Sequence, residues 1–229
     1  MTLTTTPNLA TGGVQLLLTA GATHVLRSLT RIDANGARPV RLLFGQGMSG
    51  GSLVVVDHEA AMVGAILYRA VTYPVATPGT LTEHSATTSL AGVARDRIAA
   101  AVRPATGMSP LLVTGLTAPR EAQTVEHRVI GRPDPHVSIG VLGTRKGRLQ
   151  ILCTDYSEAR SLEAVAASGD VLLWRQSDHA AMDLYFTALS VSTEVEDAET
   201  TPRRFMVTVE YVEVAAPTGP ILGALGWTV

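Results

Sequence analysis

The stretch from Arg203 to Val214 constrains the fold more than any other part of this chain. Within it Phe205, Val207, Val209 and Tyr211 alternate with Met206, Thr208 and Glu210. That is the period of a strand with one buried face. After Tyr211 the apolar phase moves to Val212 and Val214. Such a shift calls for a bulge, or for a strand buried on both faces in an assembly. Two shorter apolar runs precede it, Val171–Arg175 and Leu184–Leu189, followed by an acidic hinge. Strands of this kind need partners, so a sheet is expected here.

The rest of the chain is read in the same way. Hydrophobic residues make up 46% of the 229 positions but aromatics only 4%. The cores must therefore be built from Val, Leu, Ile and Ala, which suits packed sheets. Residues 1–12 are polar and are expected to be extended or loosely tied down. Apolar runs then follow at Val14–Leu18, His24–Leu29, Val40–Phe44, Leu53–Val56 and Ala65–Tyr73, separated by turn signals such as Asn35-Gly36. Val93–Val102 fits a short helix or a strand. Pro104–Pro110, with Gly, Ser and Thr between the prolines, marks a domain boundary.

Beyond it come runs at Leu111–Thr114, Glu126–Ile130 and Val137–Leu142, and a hairpin loop at Gly143–Gly147 leading into Arg148–Cys153. Asp155-Tyr156-Ser157-Glu158 has the spacing of a capping box. Ala159, Leu162, Val165 and Ala166 then form one apolar helical face, and Ser168-Gly169 stops the helix. The expected fold is mainly β. A β-sandwich-like half covers 1–105, a β-rich α+β half with one helix around 156–168 covers 106–216, and a C-terminal arm covers 217–229.

Chemistry-bearing patterns are few. Gly47-Met48-Ser49-Gly50-Gly51 mimics the nucleophile loop of chymotrypsin-like proteases, with His24 and Asp33 upstream. Two barrels would have to fit between such a histidine and serine, and the chain between His24 and Ser49 is far too short. A glycine-rich turn is the better reading, and no enzymatic role is expected. The six histidines lack metal-ligand spacing, and the acidic run Glu194–Glu199 has no central glycine for calcium. No metal or other cofactor is expected. Cys153 stands alone on an alternating apolar stretch and reads as a small buried hydrophobe. The net charge of −2, without a basic face, argues against nucleic-acid binding. No apolar run reaches the roughly 20 residues of a membrane span.

Charged residues are only 17% of the chain, which leaves less charged surface than a free monomer usually carries and favours assembly. Two places are expected to supply contacts. Glu194 and Glu196, with Arg203 and Arg204, could meet opposite charges on a neighbour. In the Gly- and Pro-rich tail, Ile221, Leu222, Leu225 and Trp227 would be poorly hidden unless docked on a partner.

The strand–loop–strand pattern of 169–215, with the helix before it, resembles the C-terminal half of minor and distal tail proteins of phages that infect actinobacteria. The phrase Asp57-His58-Glu59-Ala60-Ala61, followed by Tyr68-Arg69-Ala70, adds to the resemblance. Similar tail proteins carry "D-[YH]-E-A-P" and a Tyr-Arg strand in a fibronectin-type-III-like sandwich, the two strands packed side by side. Ala61 departs from that pattern, standing where a proline is usual. The resemblance is strongest over 106–217 and weaker over 36–73. It implies a structural subunit of the virion's tail tip or baseplate, assembled in the host cytoplasm. Such a subunit forms a ring, hexameric by family expectation, between the tail tube and the hub or fibre proteins. The alternative it leaves open is a receptor- or carbohydrate-binding module of a tail fibre.

Overall fold

A computed structural model describes residues 2–43, 47–128, 130–179, 182–197 and 203–221. The chain is mainly β, with sixteen described strands and one described helix. The first seven strands are β1 (Thr2–Asn8), β2 (Gly13–Thr19), β3 (His24–Asp33), β4 (Gly36–Pro39), β5 (Ser52–Asp57), β6 (Ala65–Pro74) and β7 (Thr82–Ser89). They form two sheets, β1-β2-β5 and β4-β3-β6-β7, with every pairing antiparallel. The chain crosses between the sheets after β2, β4 and β5, which makes a Greek-key sandwich.

Alternation explains the packing. Leu16 and Leu18 of β2, and Leu53 and Val55 of β5, point inward, where they meet Leu29, Ile66, Tyr68 and Ala70 of the other sheet. The N-terminal segment is not loosely tied. β1 pairs with β2 along its whole length and buries Leu3, as β-branched threonines favour. The described part of the run at Val40–Phe44 holds no strand. Val40 continues beyond β4 and donates to the Leu29 carbonyl, Leu43 makes one isolated bridge, and Phe44 lies outside the described residues.

The second unit consists of β8 (Arg97–Ala100), β9 (Arg103–Met108), β10 (Leu112–Thr117), β11 (Val125–His127), β12 (His136–Ser138), β13 (Lys146–Cys153), α1 (Tyr156–Ala166), β14 (Leu172–Arg175), β15 (Leu184–Asp197) and β16 (Arg204–Glu213). Seven of these strands form one sheet in the order β10-β13-β16-β15-β14-β8-β9, and β11 and β12 pair by themselves. The boundary expected at 105 falls inside β9. Since β8 and β9 belong to the large sheet, the division lies between Ser89 and Arg97.

Helix α1 covers one face of this sheet. Its Ala159, Leu162, Val165 and Ala166 pack on Leu149, Ile151, Phe186, Val207, Val209 and Tyr211. Asp155 caps it by accepting from the Glu158 amide at 2.9 Å. Glu158 reaches back to the Thr154 amide and hydroxyl, one residue earlier than a capping box requires. The helix ends at Ala166, and Gly169 turns the chain with φ of +73°.

The phase shift after Tyr211 has a specific cause. β16 stays in register with β13, and the bulge lies on β15, where Leu189 is the extra residue between the Ala188–Tyr211 and Ser190–Glu210 pairs. Beyond Tyr211 the apolar side chains of the chain are partly covered on the second face as well. Val214 and Ala216 join Ala101, Leu173 and Tyr185 in a small cluster on the face opposite the helix.

Candidate functional site

Two features stand out: a buried joint where the large sheet meets the sandwich, and a ribbon that projects from the large sheet. The joint begins at the end of β3. Arg31, 2% exposed, donates from Nη1 to both oxygens of Asp57 at 2.9 Å, and its Nε lies 2.8 Å from Asp33. Tyr68 donates to Asp57 at 3.0 Å, so the Tyr-Arg strand meets the acidic phrase across the sandwich and not as an adjacent strand. Its neighbour Arg69 points outward, 3.5 Å from Glu83. The Ala61 amide donates to Asp33 at 2.9 Å, a bond that a proline at this position could not make.

From this cluster the contacts cross to the second unit. Arg41 pairs with Glu59 and donates to the Ala101 carbonyl at 2.6 Å. Tyr185 donates to Glu59 at 2.9 Å while Arg38 lies over its ring. Arg175 donates to the carbonyls of Gly12 at 2.6 Å and Ala60 at 3.0 Å. Gly12 has φ of +61°, and a Cβ there would stand 3.1 Å from Arg175 Nη2, so glycine permits this approach. Asn35 and the Gln176 amide both donate to Asp183.

Burial shapes the charges. It opposes ionisation of Arg31, yet Asp57 and Asp33 hold that guanidinium's pKa above its usual value. Burial lowers Arg175 to about 10, helped by Arg97 on the neighbouring strand, so it stays cationic at neutral pH. Burial raises Asp183 to about 6. His58 is pushed down by burial and by Arg175 and Arg97. The acidic phrase thus supplies the joint with Asp57, Glu59 and the Ala60 carbonyl.

The ribbon occupies the connection between β10 and β13, where a short hairpin loop at Gly143–Gly147 was expected. β10 and β13 pair as far as Thr117 and Arg148, and the two chains then continue side by side. Lys146 donates to the Pro119 carbonyl and Gly143 to Glu121, Ala122 bridges Leu142, and β11 pairs with β12. Gly147 sits inside β13 at the root, where a Cβ would fall 1.7 Å from the Thr117 carbonyl oxygen. Every described residue from 119 to 139 is exposed. Val125, Ile130, Val137, Ile139, Val141 and Leu142 therefore stand in solvent, Ile130 and Ile139 almost fully.

The expected contact residues fare unequally. Ile221 is not free for a partner: it is 5% exposed, bridges Leu43 and donates to the Leu42 carbonyl. Residues 214–221 thus return to the sandwich of the same chain. Leu222, Leu225 and Trp227 lie outside the described residues. Glu194, Glu196, Arg203 and Arg204 are all exposed at the far end of the β15–β16 hairpin. The backbones of Asp197 and Arg204 are register partners there, where β15 pairs with β16.

Ser49 lies in a tight turn with Ser52, through Gly50 and Gly51 at positive φ. That turn touches the Gly21–His24 turn, since Ala20 donates to the Gly51 carbonyl. Asp33, however, lies at the opposite end of β3, roughly 30 Å from His24, and is engaged by Arg31. The residues of the imagined triad are not brought together. Among the described residues there is no group of three or more His, Cys, Asp or Glu able to hold a metal ion, and no helix long and apolar enough to cross a membrane. Cys153 is buried in the helix-side core. No protein-family model matches the chain, and no curated protein matches it.

Proposed function

We propose that this chain is a non-catalytic structural subunit of a phage tail tip, and that it assembles with copies of itself through the ribbon. The ribbon is the observation that carries the reading. A two-stranded element exposing six large aliphatic side chains gains nothing for its own fold, and exposed apolar side chains gathered on one projecting element mark an interaction site. At its root an open groove of about 570 Å³, lined by Gly115, Gly147, Arg148, Leu189 and Glu210 among others, offers a seat for a neighbour's ribbon. The outer face of the three-stranded sheet adds Leu17 and Val54, Cα partners that are both exposed.

The tail-tip assignment rests on the resemblance carried by the Asp57–Ala61 phrase, Tyr68-Arg69 and the 169–215 pattern. In that setting the subunit forms a ring, hexameric by family expectation, between tail tube and hub. A sugar-binding platform would present aromatic rings, and Tyr156 is the large aromatic found exposed among the described residues.

The test is the solution mass of the full chain against a variant in which 119–144 is replaced by Asn-Gly. The full chain is expected to form a closed ring, and the shortened chain a monomer that melts at the same temperature. A full chain that stays monomeric at every concentration would refute self-assembly. A ring that persists without the ribbon would refute the ribbon as its basis.

A further inference from the structure

We propose that His127 and His136 together form an exposed two-histidine site on the ribbon for a divalent transition-metal ion of the zinc, nickel or copper class. No sequence pattern signals it, because the spacing of the two residues matches no metal motif. The hairpin makes them a pair. His127 and His136 are Cα partners in the antiparallel register of β11 and β12, so their side chains leave the ribbon on the same face. Their ring centroids lie 6.5 Å apart with the planes inclined by 31°.

That geometry is close to what chelation requires. An ion held by one nitrogen of each ring at about 2.0–2.1 Å in a tetrahedral arrangement would set the centroids about 5 Å apart. Exposed side chains can make up the difference by rotation about χ1 and χ2, with the paired backbone unmoved. Both rings are exposed, so an ion arrives without any opening of the fold, and water fills its remaining positions.

Arg128, which follows His127, is turned to the opposite face. Alternation puts Val125 and Ser138 on the same face as the rings and Glu126 on the other, where Arg128 stands 3.7 Å from Glu126. Imidazole nitrogens select zinc, nickel and copper over magnesium or calcium, which take oxygen ligands. With two protein ligands the site binds more weakly than a closed structural zinc site.

The experiment is calorimetric titration of the tag-free, metal-stripped full chain with Ni²⁺, and with Mg²⁺ for contrast. The expected result is about one Ni²⁺ per chain and no Mg²⁺ binding. His127→Ala and His136→Ala should each weaken Ni²⁺ by at least about tenfold. His179→Ala, an exposed histidine outside the ribbon, should leave it unchanged. Equal melting temperatures would show that the variants fold. With Cu²⁺ in place of Ni²⁺, electron paramagnetic resonance should show two nitrogen ligands in the wild type and one in either ribbon variant. Absence of Ni²⁺ binding up to millimolar concentration, or binding indifferent to both ribbon substitutions, would overturn the site. Its outcome is separable from that of the assembly reading. A ring that binds no Ni²⁺ refutes only the metal site, and a monomer that binds Ni²⁺ refutes only the ring.

Discussion

Truncating Asp57 to alanine is the severest test of the joint. The Asp57 side chain is 3% exposed and accepts from Arg31, from the Tyr68 hydroxyl and from the Glu59 amide. Asp57→Ala strips all three donors of their acceptor and leaves a guanidinium that is 2% exposed with Asp33 as its remaining carboxylate. Breaking one side of a buried ion pair typically costs about 3–5 kcal/mol. Asp33 stays in place, so the lower end, about 3 kcal/mol, is expected. At about 2–4 °C per kcal/mol for a chain of this size, the melting temperature should fall by roughly 6–12 °C. Differential scanning calorimetry at low and high salt reads it, and the loss should persist in salt because buried pairs are poorly screened. Glu83→Ala is the control. Its partner Arg69 and Glu83 itself are both more than half exposed, so the change should stay within about 0.5 kcal/mol. A fall of less than about 2 °C for Asp57→Ala, on the same conversion, would refute the claim that the Arg31–Asp57 pair supports the joint.

The joint and the root of the ribbon each carry one further expected outcome. Asp183 has a folded pKa of about 6, above an unfolded value near 3.9, so its contribution to stability is full below about pH 4 and is lost as pH rises through about 6. Burial of His58 acts in the opposite direction over the same window, so the difference between variants isolates Asp183: between about pH 7.5 and 5 the wild type should gain stability toward acid relative to Asp183→Asn, and parallel slopes would count against the assignment. Gly147→Ala should cost at least about 1–3 kcal/mol, because the added carbon meets the Thr117 carbonyl and only backbone movement can relieve it. Urea unfolding monitored by circular dichroism would measure the loss, and wild-type stability would show that the ribbon's root is looser than described.

What the sequence revealed depended on whether one segment carried its own signal. Apolar runs between turn signals gave β2, β5 and β6, and period-two alternation gave β13 and β16, where Leu149 and Ile151 and then Phe205, Val207, Val209 and Tyr211 line one face. Asp155 and the apolar face behind it gave α1. β1 and β7 were harder, since Thr2–Asn8 and Thr82–Ser89 are strands made chiefly of Thr, Ser and other polar residues with little apolar alternation. The joint was beyond reach. Arg31, Asp57, Arg175 and Gly12 meet only after three sheets have formed, and nothing in the run Val171–Arg175 signals the carbonyls that Arg175 reaches. The runs at Glu126–Ile130 and Val137–Leu142 were visible, but the glycines of Gly143–Gly147 drew the hairpin to the wrong place, and the observed pairs are β11 with β12 and β10 with β13. Ile221 misled because an apolar tail carries no sign of whether its partner is another chain or its own sandwich.

The ribbon leaves the large sheet at Thr117 and returns to it at Lys146, adjoining the pairing of β10 with β13. Its length is therefore independent of both cores. Two residues added to each of its strands would lengthen it by about 7 Å and keep the same faces outward, whereas one residue added to each would turn the apolar and histidine faces over. Selection could thus adjust how far one subunit stretches toward the next in quantised steps, while the sandwich, the helix-covered sheet and the ion-filled joint stay as they are.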